Sequence, residues 1–572
     1  MLNITINGKA YQFEPGLTIL DACRKVNIDI PTLCHLKNLP PSGSCRICMV
    51  EVDKIRGLVP SCAYPLAEGM NIRTNTDRIR EARKMIVELL IANHPQDCLN
   101  CNRSLSCELQ KLAMELGAEA KPQYKAKRQY HIDATSPALV RDPGKCIICG
   151  RCVRVCEEVQ GVGAIDFTKR GFETMVLPAF NEDLADTTCV NCGQCIKVCP
   201  TGALSENFSV RDVMDALSSP EKVVVAQMAP AVRVALGELF GIDEDNVAAR
   251  LTDALRRIGF KYVFDTNFAA DLTIMEEGTE LVTRLTKGGV IPMITSCSPG
   301  WIKFIEHFYP EYLPNLSTCK SPQQMQGAMI KGYWAKKINL DPKKVFVVSI
   351  MPCTAKKFEA QRPEMEVDGI RDVDVVLTTR EVAKLLKSYD LDLATTVPSD
   401  FDHPLGESTG AGAIFGATGG VCEAALRTAY KLVTGKELEK LDVEAVRGFE
   451  GIKEAMVKVG DIDLKIAIAS GLKNARMLLD SVKSGEKKYH FIEIMACPGG
   501  CLNGGGQPTS FDPDALKKRL KKIYAIDKVA KLRRSHENPS IVQLYNEFLK
   551  TPNSEIAHKY LHTHYHAREE KS

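Results

Sequence analysis

Polar and apolar residues alternate along the opening stretch Met1-Leu-Asn-Ile-Thr-Ile-Asn-Gly, the two-residue period of a half-buried strand. The alternation continues around glycines to about residue 78 and predicts a small β-rich unit. One helical run interrupts it, Ile19-Leu-Asp-Ala-Cys23-Arg-Lys-Val, with Cys23 among its core positions. Over 77–93 the period becomes helical, with Ile79, Ala82, Ile86, Leu89 and Leu90 as the apolar set. From about residue 209 apolar runs (Lys222-Val-Val-Val-Ala, Val345-Phe-Val-Val-Ser-Ile) alternate with helical patterns over 246–258, 275–286 and 321–338. Strand–helix alternation predicts an α/β region with largely parallel sheets, whose active sites gather beyond the carboxyl ends of the strands. A last apolar strand, Phe491-Ile-Glu-Ile-Met, runs into the loop Ala-Cys497-Pro-Gly-Gly-Cys501-Leu-Asn-Gly-Gly-Gly506-Gln507. Its glycines let backbone approach a bulky object and aim N–H groups inward.

Composition sharpens this picture at one point. The chain has 572 residues with 74 basic and 71 acidic side chains, net +3. That balance makes no case for nucleic acid or an anionic membrane surface. No apolar stretch is long enough for a membrane span and the N-terminus is not a signal peptide, so a cytoplasmic location is expected. Twenty-two cysteines in such a chain argue for metal rather than disulfides.

The cysteine spacing tests that idea. Cys34, Cys45, Cys48 and Cys62 read C-x10-C-x2-C-x13-C. Four thiolates suit zinc as well as iron, but the long ligand loop resembles the plant-type [2Fe–2S] ferredoxins, with a longer first gap as in hydrogenases and respiratory dehydrogenases. His94, Cys98, Cys101 and Cys107 read H-x3-C-x2-C-x5-C. This is similar to the His/Cys3 [4Fe–4S] site shared by iron-only hydrogenases and the large iron–sulfur subunit of NADH dehydrogenase. Two C-x2-C-x2-C-x3-C runs follow. In two-cluster ferredoxins the fourth Cys of each run serves the other cluster. One [4Fe–4S] cluster is therefore assigned to Cys146, Cys149, Cys152 and Cys199, the other to Cys189, Cys192, Cys195 and Cys156. Four clusters in series make a wire, and a wire needs a terminal.

Three loops supply one: Thr295-Ser-Cys297-Ser298-Pro-Gly-Trp301, Met351-Pro-Cys353-Thr-Ala-Lys356-Lys-Phe-Glu359, and the Cys497/Cys501 loop. They resemble the signatures of the iron-only, or [FeFe], hydrogenases, and with the relay sites the resemblance covers nearly the whole chain. It implies a multidomain α+β and α/β protein: a [2Fe–2S] β-grasp domain over 1–78, a His/Cys3 domain over 79–125, a two-[4Fe–4S] ferredoxin domain over 126–208, a large α/β catalytic domain over 209–520 and a C-terminal wrapping segment over 521–572. It implies an H-cluster, a cubane joined through a cysteine sulfur to a diiron centre with CO, cyanide and azadithiolate, held by Cys297, Cys353, Cys497 and Cys501. Lys356 would face anionic cyanide. Met351, Met495, Pro230 and Gln323 would line the cofactor. Glu277, Glu280, Arg284 and Ser317 correspond to the family's proton relay; the first three share one helix face by spacing. Cys23, Cys319 and Cys422 are left over as buried small residues.

One position departs from the family. Its loop commonly reads Thr-Ser-Cys-Cys-Pro, the second Cys holding the cubane and the first donating protons, and here the second is Ser298. Either Cys297 ligates the cubane and Ser298 joins the proton path, or Cys297 remains the donor and Ser298 ligates. The sequence favours the first, because a cubane prefers sulfur. The serine also leaves open a hydrogen sensor without turnover, and residues 1–200 alone would suit an electron-transfer subunit of an NADH dehydrogenase-like complex. With no Rossmann, flavin or nucleotide motif in the chain, coupling to NAD(P)H and to ferredoxin is expected through partners: flavin- and NAD(P)-binding diaphorase-type subunits and a small [2Fe–2S] subunit. Maturation proteins are implied by the cofactor. The histidines of the tail, His558, His562, His564 and His566, are expected on a solvated segment.

Overall fold

The computed structural model describes residues 1–124, 130–243, 246–509 and 514–568; the expected boundary at 125/126 lies outside the described residues. The N-terminal alternation forms a five-stranded sheet in which Leu2–Ile6 lies between Lys9–Phe13 and Asn71–Arg73, followed by Met49–Val52 and Val59–Pro60. The helix Ile19–Lys25 starts from a Thr18/Asp21 capping box and buries Cys23.

The inward face of the helix Asp77–Ala92 is turned only slightly from the one its apolar residues mark, with Ile79 buried and Ile86 and Leu90 packed against the core as expected. Ile79, Arg83, Val87 and Ile91 are buried, whereas Leu89 is 46% exposed. The reason is Arg83, whose guanidinium donates to the carbonyls of Ile47, Met49 and Thr74 at 2.9–3.2 Å. A buried charge with its donors satisfied belongs to the core, yet a hydrophobic period does not register it.

The C-terminal two-thirds contain two four-stranded sheets. In the first, Tyr262–Asp265, Val223–Met228, Val345–Met351 and Val375–Thr378 are all parallel. In the second, Met293–Ile294, Phe491–Met495 and Ile462–Ser470 are parallel and Ile452–Val459 closes the edge antiparallel. Strands buried on both faces explain the unbroken apolar runs.

Three elements differ from the sequence expectation. The helix expected over 275–286 runs Thr266–Lys287. Its first nine residues are buried all round, so they show no amphipathic period. The helix expected over 321–338 is Pro322–Met329, a wide π turn over Ile330–Trp334 and a short end, Ala335–Lys337. In that turn Gly332 leaves room for the Tyr560 ring, which a Cβ would meet at 2.3 Å. Of the tail histidines, His558, His564 and His566 are exposed as expected, but His562 is 8% exposed and pairs with Cys319. The helix Ala515–Val529 spans residue 520, so a boundary drawn there would cut it.

Candidate active site

Both sheets send the carboxyl ends of their strands to one place. Beyond Ile294, Met351 and Met495 stand Cys297, Cys353 and Cys497, and beyond Met228 stands Pro230. These residues wall a cavity of about 80 Å³, with Cys501, Cys192 and Lys356 also on its lining. One buried water needs roughly 10–15 Å³, so there is room for a group of several heavy atoms.

Local chemistry fixes each loop. Pro299 opens the helix Pro299–Phe308 behind Ser298, a position where its missing N–H costs nothing. Thr295 Oγ1 accepts from Ile494 N at 3.2 Å, Trp301 Nε1 donates to Thr295 O at 3.1 Å, and Ser296 Oγ donates to Cys319 O at 2.7 Å. The Cys497 loop turns on Gly499 and Gly500, with φ of 83° and 78°, values open to glycine at little cost. Gly504 and Gly505 let neighbouring protein pass close, and Gly504 also lies on the cavity lining. A Cβ on either would stand 2.2 Å from a carbonyl oxygen, that of Pro352 or Cys192.

The thiols are uphill to ionise unaided. Burial pushes Cys297 and Cys353 up, and Cys501 to about 12; a bound cation would have to draw off those protons. Lys356 is buried, not a surface lysine. Its Nζ donates to Glu359 Oε2 at 2.8 Å, Ser321 Oγ at 2.7 Å and Cys297 O at 3.2 Å. Gln323, on the lining, donates from Nε2 to that same Glu359 Oε2 at 3.0 Å and takes Ser349 Oγ on its own Oε1. Met351 and Met495 line the cavity and are each 3% exposed. Ser298 Oγ accepts from Ala496 N at 3.2 Å.

Glu277 lies beside Cys297, as the strongest charged influence on that thiol. Burial pushes its carboxyl up to about 8, the nearby Glu280 adds to the rise, and Ser317 bonds to it. One carboxyl oxygen, Oε2, has no partner. Ser317 Oγ also reaches Glu280 Oε2 at 3.2 Å, and Glu280 pairs with Arg284 at 2.6 Å. The side chains of that pair are only 12–13% exposed, so it is not an ordinary surface pair.

The relay cysteines also gather. Cys34 contacts Cys45 and Cys62, and Cys48 contacts Cys62. Cys146, Cys149, Cys152 and Cys199 line one small cavity, while Cys156, Cys189, Cys192 and Cys195 line another. His94 donates from Nδ1 to Pro95 O at 2.9 Å, leaving a buried Nε2 without a partner four residues ahead of Cys98 in the chain. A bare imidazole nitrogen and clustered thiols in apolar cavities are the donor set an iron–sulfur group requires. Sequence reasoning missed three features: Cys192 on the catalytic lining, Glu359 as the anchor of Lys356, and the burial of His562. Only Glu359 left a signal, its i, i+3 spacing from Lys356.

The relay abuts the cavity directly. Thr354 Oγ1 donates to Asn191 O at 2.7 Å and Gln194 Nε2 to Asn503 O at 3.0 Å. Lys197 Nζ reaches the same carbonyl at 3.2 Å, and burial lowers its pKa to about 7.

Comparison with known proteins gives the same layout. Residues 222–505 match the C-terminal domain of the iron only hydrogenase large subunit, and 513–568 the iron hydrogenase small subunit. Residues 1–77 match a 2Fe-2S cluster binding domain, 83–122 the NADH-ubiquinone oxidoreductase-G iron–sulfur binding region, and 145–203 a 4Fe-4S dicluster domain. The NADP-reducing hydrogenase subunit HndD of Solidesulfovibrio fructosivorans is 51% identical over 100% of this chain and 99% of its own. Iron hydrogenase 1 of Clostridium pasteurianum is 44% identical over 99% and 100%. Among solved structures, the [FeFe]-hydrogenase HydA1 of Chlamydomonas reinhardtii matches with a TM-score of 0.57 at 44% identity, covering 63% of this chain and 99% of that one.

Proposed function

This chain belongs to the iron-only hydrogenase family as a catalytic subunit with iron–sulfur relay domains, and from that premise we propose how its own residues divide the work of interconverting H2 with two protons and two electrons. The observation that carries the reading is the apolar cavity walled by Cys297, Cys353, Cys497 and Cys501, with a relay cysteine, Cys192, on one side and a buried carboxyl, Glu277, on the other. A cubane joined to a diiron centre supplies the two-electron chemistry when bound. Cys353, Cys497 and Cys501 would hold it, Met351, Met495 and Pro230 would keep water away, and the Lys356 ammonium would offer a cation to its anionic ligands.

Four relay sites would hold the clusters that supply it with electrons: Cys34/Cys45/Cys48/Cys62 for one [2Fe–2S], His94 with Cys98, Cys101 and Cys107, and the two cross-paired ferredoxin sets for [4Fe–4S]. Protons pass between Cys297, Glu277, Ser317 and Glu280, with Arg284 at the outer end. Protonated near neutral pH, Glu277 can donate where an ordinary carboxylate could not. For the Cys297/Ser298 pair, proximity to Glu277 supports a proton-donor place for Cys297. The bond from Ala496 N, one residue from Cys497, supports a place on the cubane side for Ser298. We therefore favour Ser298, not Cys297, as the residue next to the cubane, reversing the order the sequence favours.

The similarity to an NADP-reducing hydrogenase subunit supports work in a multi-subunit complex. Flavin- and NAD(P)-binding subunits, a small [2Fe–2S] subunit and ferredoxin complete that reading, in the cytoplasm. No helix among the described residues is long and apolar enough to cross a membrane. The test is H2-dependent dye reduction by the anaerobically matured chain, wild type against Glu277→Gln. Turnover in the first and a loss of roughly 10²–10⁴ in the second is expected. A fully loaded protein without turnover would make the chain a sensor.

A further inference from the structure

We infer that His562 feeds protons to Glu280 through the Thr318 hydroxyl, a second limb of the proton path. The inference rests on the place given to Glu280 above. It starts from the tail. After the helix Glu555–Leu561 the chain lies along residues 318–320: Lys320 N donates to Leu561 O at 2.7 Å and Thr563 N to Thr318 O at 2.8 Å. This brings the His562 ring against the Thr318 side chain. Nδ1 is 2.8 Å from Thr318 Oγ1, and that oxygen is 3.2 Å from Glu280 Oε2. One hydroxyl thus bridges an imidazole and a carboxylate.

The other ring nitrogen fixes the proton count. Nε2 lies 3.1 Å from Glu276 Oε2, and Glu276 already accepts from Tyr545 Oη and from Asn553 N. A carboxylate collecting donors needs a protonated Nε2. Nδ1 then either carries a second proton and donates to Thr318, or is bare and accepts from it. Passage between these states moves one proton. The Nδ1–H bond breaks as Thr318 Oγ gains that proton, and the former Thr318 proton bonds to Glu280 Oε2. Imidazolium becomes imidazole, carboxylate becomes acid, and no electrons move.

The groups facing His562 are Glu276 and Glu280 from the helix Thr266–Lys287, Cys319 beside Thr318, Tyr545, and His558 and His564 on its own segment. His558 is exposed and its ring centroid lies 4.1 Å from that of His562, so a solvent-facing imidazole packs against the buried one. The cation paired with Glu280, Arg284, is a guanidinium, which does not give up a proton in proteins, whereas an imidazole can exchange one near neutral pH.

The test uses the full, matured chain, with infrared bands of the bound diatomic ligands as the check on loading and H2 evolution followed from pH 6 to 9. His562→Gln and Thr318→Val should each lower the rate roughly ten-fold or more and flatten its fall with rising pH. Thr318→Ser should restore it, and added imidazole should rescue His562→Ala. If Glu280→Gln stops turnover while His562→Gln and Thr318→Val keep the wild-type profile, the limb is overturned and the main path stands. An unaffected Glu280→Gln sinks both. A slow His562→Ala that imidazole does not rescue, with Thr318→Val unchanged, marks His562 as structural and overturns the limb.

Discussion

Replacing Lys356 by Met should unbalance the protein before it disturbs any chemistry. The ammonium and the Glu359 carboxylate are 2.8 Å apart, with side chains 11% and 4% exposed. At that separation and an effective dielectric of about 20 the attraction is about 6 kcal/mol, most of it offset by the cost of burying both ions. Removing one partner leaves the other charge stranded, typically at about 3–5 kcal/mol. Glu359 would keep Ser321 Oγ at 2.9 Å, Gln323 Nε2 at 3.0 Å and Gln324 Nε2 at 3.5 Å, so Lys356→Met should fall at the lower end, about 3 kcal/mol. The double variant Lys356→Met/Glu359→Gln removes both charges and should recover most of that loss. Protein made without the maturation machinery isolates the effect from cofactor loading. Urea unfolding followed by tryptophan fluorescence reports the catalytic region alone, because the chain's 2 tryptophans, Trp301 and Trp334, are both buried there. After maturation both variants should be poor hydrogenases, since neither retains the cation. Single and double variants of equal stability would refute the ion-pair reasoning. A wild-type midpoint for Lys356→Met would do so more directly.

His94→Ala should remove one relay cluster from the electron paramagnetic resonance spectrum of the reduced protein and slow partner-driven turnover, while H2 evolution from a small reductant persists; an unchanged spin count would exclude His94 as a ligand. Cys297→Ser should abolish turnover yet keep the cubane signal, and Ser298→Ala should weaken that signal; iron lost in the first variant would return Cys297 to the cubane. Asp271 is buried and its pKa is raised to about 6, chiefly by burial, against about 3.9 unfolded. The folded state holds the proton more tightly, so this group's contribution is present below about pH 4 and is lost as pH rises through about 6, a total of about 3 kcal/mol. Asp271→Asn should flatten that part of the pH profile of unfolding; an unaltered slope between pH 4 and 6 would contradict the shift.

The metal sites were legible because their grammar is local. Cys146 to Cys156 and Cys189 to Cys199 announce themselves within eleven residues each, and thiolate ligands have few other uses in that pattern. The parallel sheets were legible because double burial writes continuous apolar runs. What stayed hidden lies across the chain. Glu276 meets His562 over 286 positions and Lys197 meets Asn503 over 306, and no period or spacing carries such pairings. Arg83 hid for another reason: a charged side chain in the core contradicts the rule by which cores are read. The same logic hid the first turns of Thr266–Lys287, where Asn267 and Asp271 are buried beside Phe268 and Leu272.

Gly193 and Gly505 meet where the relay touches the catalytic loops. A Cβ on Gly505 would stand 2.8 Å from the Cα of Gly193, and one on Gly193 would stand 3.1 Å from the Cα of Gly505. Electron tunnelling falls exponentially with distance, so an added methyl at either position would act as a spacer as well as a steric insult. The consequence is one of inheritance. The wire and the engine behave as matched halves of a lock, and a shuffled chimera keeps its current only if both glycines travel with the junction. Domain exchange in this molecule is therefore expected to succeed upstream, among the more distant relay units, and to fail at this seam.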